Sequence, residues 1–522
     1  MEVVSSISEG RIENPQKKSA LLRHLRFSRD LVVYAIYALA ITASISMWFI
    51  ALRAPLWVDE TGGYWQIVAG FSEIWPRQFL TLSSPEYGYI LWLSTKLIGT
   101  SEIALRVPSL LAMLGAVYVL YLAARELFER DIALIAVLVF CLNPVVAFEA
   151  IDARPYAFAV LVSNAAILIL FRLRRNNSNW LAALFGLTAA CIVWFQFLYI
   201  DILPALLLCF FAIKQCDRKT FWKQFSIALT AFTLAFLQVI PIMLFLVRTS
   251  KTHVVETAPN LLDLLWTLAP GWLLIVFCGT GFVAFLDRAA RPGRDSFNRS
   301  QAWPLLLCAS LALIPTLILY AVSVGTSVHP FSPSRHRLDA IPGIALCWAF
   351  FLSRFRSRIP RLFFCIVLVT VTACTQFSSP LAKLHDATWK YALEFAEKNA
   401  GADDAPVIIC SDFPESDYSA MPPDSDSAKS SKFFAQLSYY KLSVPVVPLP
   451  RTLNDEAIRI GSSFLQEAAQ KHERFLAVAK EPSYKTLDWL TQNAAATHSV
   501  RKLGIFDRAE VLEFVPRTSL TP

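Results

Sequence analysis

The chain has 522 residues, of which 55% are hydrophobic and 13% aromatic but only 17% charged, and its mean hydropathy is +0.48. So little charge over such a length excludes an ordinary soluble globular protein and points to a chain that crosses a membrane many times. The net charge of +8 therefore matters less than where Lys and Arg fall along the sequence. The ten cysteines form no CxxC pair and no Cys/His cluster, and only Cys410 lies in the polar C-terminal part, which excludes a disulfide framework there.

Residues 1–30 are polar, too long and too charged for a cleaved signal peptide, so they read as a cytoplasmic tail before an uncleaved first span at 31–52. Next comes WVDETGGYW (57–65), which sets adjacent carboxylates, Asp59 and Glu60, among Trp57, Tyr64 and Trp65. An acidic pair at the mouth of a span is costly unless it is solvated, paired or functional. A solvated helix end with interfacial aromatics is the bland alternative. The segment EYGYILWLSTKLI (86–98) is short and carries Glu86 and Lys96, which suits an amphipathic helix in the interface rather than a span. Apolar runs at 106–124, 132–148, 156–171, 180–197, 198–213, 225–247, 266–286, 303–324, 338–354 and 361–377 bring the expected number of spans to eleven.

Topology follows from charge. Lys and Arg gather in alternate segments, as at Lys17, Arg125, Arg172, Lys219 and Arg358, and counting 86–98 as a span would move most of that charge to the outer side. The reading is a polytopic α-helical membrane protein of about eleven transmembrane helices, with its membrane domain at 31–377 and the loop 53–105 on the outer face. After residue 378 the apolar runs shorten to VIIC (407–410), VPVVPL (444–449) and RFLAVA (474–479), alternate with helix-like stretches at 453–469 and 483–493, and end in strand-like runs at 498–505 and 510–515. This predicts an α/β domain over 378–522, on the same periplasmic side as Asp59, with a Ser/Pro/Asp-rich loop at 421–432.

Four outer features can converge on one cavity. They are Asp59 with Glu60; EAIDARPYAF (149–158) with Glu149, Asp152, Arg154 and Tyr156; Tyr199 with Asp201; and SPSRHRLDAIPG (332–343) with Arg335, His336 and Arg337. The plain alternatives are an interfacial Asp152–Arg154 salt bridge, a helix N-cap for Asp201 and a snorkelling Arg337. Three basic side chains together on the outer side suit an anionic headgroup, since guanidinium meets phosphate through a two-pronged fork. All four features precede residue 378, so the C-terminal domain is expected to shape access to the cavity rather than its chemistry.

The acidic pair in a long first outer loop, LRVPSLL (105–111) after it, the AR-Y element at 153–156 and the Arg-rich turn before the last spans together resemble the GT-C membrane glycosyltransferases. The similarity is greatest to the bacterial branch of aminoarabinose transferases, protein O-mannosyltransferases and rhizobial lipopolysaccharide galacturonosyltransferases, and it covers roughly residues 30–377. The resemblance implies an inner-membrane enzyme of the cell envelope that moves a sugar, with inversion, from a polyprenyl-phosphate donor to a lipid A, polysaccharide or protein acceptor. It assigns Asp59 as the base or acceptor-orienting group with Glu60 beside it, and gives 86–98 as the helix lining the site. Arg335, with Arg154, Arg337 and His336, falls to the donor phosphate; His336 stands where a Tyr is usual. Asp152, Tyr156, Tyr64, Tyr199 and Asp201 are the expected cavity residues. No cofactor is demanded, though a divalent metal can bridge phosphate and carboxylates. Membrane lipids are expected partners and nucleic acid is not. The alternative is a transporter or flippase for a lipid-linked or anionic solute, which predicts ionisable residues inside several spans. The runs above hold almost none.

Overall fold

The computed structural model describes residues 15–81, 83–212, 217–253, 257–268, 279, 282, 302–354, 358–378, 388–401, 404–412, 435–481 and 483–517. Most of the run at 266–286 and the whole loop at 421–432 lie outside the described residues. The chain is mostly helical up to Ser378, and a five-stranded sheet domain follows.

Four described helices are long and apolar enough to cross a membrane: Val33–Arg53, Glu102–Leu127, Tyr156–Asn176 and Trp303–Gly325. A fifth span arises if Arg218–Phe236 and Ile240–Leu246, bent by 65°, count as one. Several of the other described apolar runs fold as shorter or broken helices, and proline explains two breaks. At 132–148 the helix Arg130–Cys141 stops, Asn143 caps a new turn by accepting the Val145 N–H at 2.9 Å, and Pro144 starts it. At 225–247, Pro241 follows the bend and cannot donate the hydrogen bond a continuous helix needs there. Of the described part of the last apolar runs, Ile341–Leu352 is preceded by a 3₁₀ turn, Ser334–Ala340.

Most of the described helices of this part share one core, and small residues let backbones meet within it. A Cβ on Gly186 would lie 2.0 Å from the Ala228 carbonyl, and one on Gly343 would lie 2.4 Å from the Leu311 backbone. Between the first span and Glu102–Leu127, the chain forms helices Val58–Val68, Phe71–Leu80 and Pro85–Ile98. The last covers the expected short helix at 86–98. Ser84 caps it and Pro85 opens it.

The C-terminal sheet has strands β1 (Val407–Cys410), β2 (Val446–Leu449), β3 (Phe475–Lys480), β4 (His498–Phe506) and β5 (Ala509–Pro516) in the order β2-β1-β3-β5-β4. The first three are parallel, and β5 runs antiparallel to β3 and β4. Alternation along β1 feeds two cores: Val407 and Ile409 pack with Trp389 and Leu393, while Ile408 and Cys410 pack with Leu465 and Leu487. Helices Asp455–Lys471 and Tyr484–Ala494 occupy the predicted places.

Candidate functional site

Trp57 is extended and the helix Val58–Val68 begins after it, so the two carboxylates sit in the first turn, where the helix dipole favours negative charge. Their surroundings then diverge. Glu60 is 1% exposed and faces Arg106, which is 0% exposed. Arg106 Nε donates to Glu60 Oε1 at 2.7 Å and Nη2 to Oε2 at 2.5 Å. The Ala153 N–H donates to Oε1 at 2.9 Å and the Trp57 N–H to Oε2 at 3.2 Å. Every strong accepting position of Glu60 is thus filled. The rest of the Arg106 fork is spent on the carbonyls of Leu52, Ala54 and Pro55, at 3.0, 2.5 and 3.0 Å.

Asp59 turns the other way and is 19% exposed. Its Oδ2 lies 3.5 Å from Arg335 Nη2 and 3.9 Å from Arg154 Nη2. The two guanidiniums are shelved on aromatic rings, Arg335 over Trp57 at 5.4 Å and Arg154 over Tyr156 at 6.0 Å. The Tyr199 hydroxyl donates to the Arg335 carbonyl at 2.8 Å, and Ser109 Oγ donates to the Arg154 carbonyl at 3.0 Å. Burial disfavours the charge on Arg154, but Asp59, Tyr156 and Asp152 outweigh it and hold the guanidinium more firmly protonated than usual. Arg335 behaves alike: burial opposes its charge, and Tyr156 and Asp59 more than restore it.

Behind this trio lie two further acids. The Trp57 indole N–H donates to Asp152 Oδ1 at 2.9 Å. Glu149 and Asp152 are both buried, and no other group donates to Glu149 Oε2 or Asp152 Oδ2. Two buried carboxylates side by side repel, which favours a proton on one of them. Burial first, then the charge of Asp152, drives Glu149 well above the usual carboxylic range; burial and then the charge of Glu60 lift Asp152 to about 7.

The remaining expected residues are placed as follows. His336 is buried, and its Nδ1–H donates to the Pro330 carbonyl at 2.8 Å. Burial and then the Arg335 charge push it down to about 3, so it supplies no positive charge to a phosphate near neutral pH. Arg337 leaves the trio: it donates to Thr267 Oγ1, lies 4.8 Å over the Phe331 ring and lines a separate cavity of about 590 Å³ with Asn143, Val145, Asp263 and Trp266. Asp201 is buried against Asp339. Tyr64 packs edge-on against Tyr439 of the C-terminal domain at 5.1 Å. Among the described residues, no three His, Cys, Asp or Glu side chains are placed to hold a metal ion. Sequence reasoning missed the role of Arg106, whose only signal is a lone charge inside LRVPSLL. It placed Glu149 in one loop with Asp152 without foreseeing their mutual effect, and it missed Asp339.

Residues 83–245 match the family model described as dolichyl-phosphate-mannose-protein mannosyltransferase. The chain resembles the GT-C membrane glycosyltransferases. The matched segment holds Arg106, Glu149, Asp152, Arg154 and Tyr199, while Asp59 and Arg335 lie on either side of it. Among solved structures, ArnT from Cupriavidus metallidurans in the apo state is 13% identical, with 92% of this chain and 98% of that chain covered and a TM-score of 0.44. The same protein bound to undecaprenyl phosphate is 12% identical, with 91% and 97% covered and a TM-score of 0.42. The Archaeoglobus fulgidus oligosaccharyltransferase in the apo form is 12% identical, with 85% and 69% covered and a TM-score of 0.40. Among curated protein sequences, none matches.

Proposed function

We propose that this protein is an inverting membrane glycosyltransferase. In this reading it moves a sugar from a polyprenyl-phosphate donor to a lipid, polysaccharide or protein acceptor on the outer face of a bacterial inner membrane. The observation that carries the reading is the split of the acidic pair: Glu60 is locked by Arg106, while Asp59 is open and flanked by two arginines.

Inverting transfer needs a group that takes the proton of the acceptor hydroxyl as its oxygen attacks the anomeric carbon. Asp59 is the carboxylate left free for that work. As the carbon–oxygen bond to the carrier breaks, its electron pair stays on the phosphate, which then needs positive charge rather than a proton. Arg335 and Arg154 provide it, each already oriented by an aromatic shelf and a hydrogen-bonded carbonyl. Donor phosphate and Asp59 compete for the same guanidiniums, so donor binding draws Arg335 off Asp59 and leaves the carboxylate free to accept a proton. In this reading the start of the carrier chain lies in the cavity lined by Arg337, on the far side of the same turn. Glu60 becomes a positioning residue rather than a second base.

A deletion strain tests this. Mass spectrometry of its envelope glycolipids and glycoproteins should show one sugar missing and its carrier-linked form accumulating. A plasmid copy should restore the sugar, and an Asp59→Asn copy should not. An envelope with every sugar intact overturns the reading.

A further inference from the structure

Residues 54–57 join the first span to the helix that carries Asp59, and this short strand is held from two sides. On one side Arg106 binds the carbonyls of Ala54 and Pro55. On the other, the Leu56 N–H donates to the Tyr440 hydroxyl at 2.6 Å, a contact spanning 384 positions of sequence. Leu56 is buried, and a buried amide must find an acceptor. The C-terminal domain supplies it.

Tyr440 is itself fixed. Its N–H donates to the Gln436 carbonyl at 3.0 Å, and its ring meets Tyr439 edge-on at 4.9 Å. Tyr439 in turn packs on Tyr64 at 5.1 Å and donates to the Thr100 carbonyl at 2.9 Å. Lys390 Nζ reaches Glu102 at 3.0 Å. The domain therefore grips the Asp59 loop at residues 56, 64, 100 and 102.

We propose that Tyr440 is a positioning residue for Asp59, through which the C-terminal domain sets the reach of the base as well as acceptor access. The inference rests on the reading of Asp59 as base. Without the hydroxyl, the strand keeps its Arg106 side and loses the other, and Asp59 lies three residues beyond the released amide. A displacement of about 1 Å at a reacting group costs on the order of 10²-fold in rate.

The test compares full-length Tyr440→Phe with Tyr439→Phe, which breaks a similar bond at the same interface but not the one to Leu56. In purified protein, hydrogen–deuterium exchange of the peptide containing Leu56 and Trp57 should speed up in Tyr440→Phe and stay at the wild-type rate in Tyr439→Phe. In the deletion strain, at equal protein level, the restored sugar should fall by roughly tenfold to 10²-fold for Tyr440→Phe only. Binding of undecaprenyl phosphate, used as the probe, should be unchanged. Faster exchange with full transfer overturns the proposal. So do equal losses in both variants, which mean plain docking, and so does a parallel loss of probe binding. Full transfer by Asp59→Asn instead rejects the underlying assignment of the base, whatever Tyr440 shows.

Discussion

Glu60→Gln is the substitution that separates a structural carboxylate from a chemical one. Glutamine keeps the shape, and its carbonyl can still accept from Arg106 Nε and the Ala153 N–H. Its amide then turns two hydrogens toward Arg106 Nη2 and the Trp57 N–H, which are donors. The variant loses two accepted bonds and leaves a fully buried guanidinium without its counter-ion. Removing one partner of a buried ion pair costs about 3–5 kcal/mol. The assay is unfolding of the purified protein in mixed micelles, alone and in a cycle with Arg106→Met. The double variant should be less destabilised than the two single losses added together, with a coupling of about 0.5–3 kcal/mol for directly contacting groups. A Glu60→Gln protein that abolishes transfer yet unfolds within about 0.5 kcal/mol of wild type, the range of a neutral surface change, would show that Glu60 does chemistry.

Asp59→Asn should lower transfer by about 10²–10⁴-fold, the usual worth of a general base, with binding of undecaprenyl phosphate little changed; wild-type turnover removes Asp59 from that role. Arg335→Ala should weaken that binding by about 1.5–3 kcal/mol, as for a charge-assisted hydrogen bond. Arg335→Lys should recover only part, because an ammonium lacks the planar fork; full recovery by Lys refutes a two-pronged contact. Asp152 holds its proton up to about 7 in the folded chain against 3.8 otherwise, and Glu149 is raised as well. The folded state therefore binds more protons than the unfolded one between those values, and stability falls as pH rises across that window. Asp152→Asn should flatten the slope of unfolding midpoints between about pH 4 and 7, and an unchanged slope argues against a protonated Asp152. Gly186→Ala should destabilise by about 1–3 kcal/mol as an overpacked contact, since its Cβ would sit 2.0 Å from the Ala228 carbonyl.

What sequence conveys well here is local. The helix Pro85–Ile98 has its cap at Ser84 and its opening proline written beside it, and the inner strands β1 and β3 are short apolar runs, buried along their whole length and bounded by helices. Averaged hydropathy, by contrast, reads 132–148 and 225–247 as unbroken spans because it weighs apolarity and ignores hydrogen bonding. Pro144 and Pro241 interrupt the backbone ladder without lowering that average much. The same blindness joins Arg335, His336 and Arg337 into one basic cluster. In the 3₁₀ turn Ser334–Ala340, the first faces Asp59, the second is buried and neutral, and the third lines another cavity.

The acidic pair shows why a site can be located in sequence before its roles can be divided. Neighbouring residues on a helix project roughly 100° apart, so two adjacent carboxylates seldom enter one cavity together. One of them has to be buried or turned to solvent, and burial needs a cation. Here the cation is Arg106, which stands 46 residues away at the start of an apolar run, where its charge reads as a helix end rather than a counter-ion. Only when the first turn of Val58–Val68 is packed against that run does Glu60 find its partner. The same packing sets the backbone of Ala153 on Glu60 and so brings Arg154, one residue on, beside Asp59. The locked carboxylate is thus what places a guanidinium next to the open one, and the two acids act as one device with a fixed half and a working half.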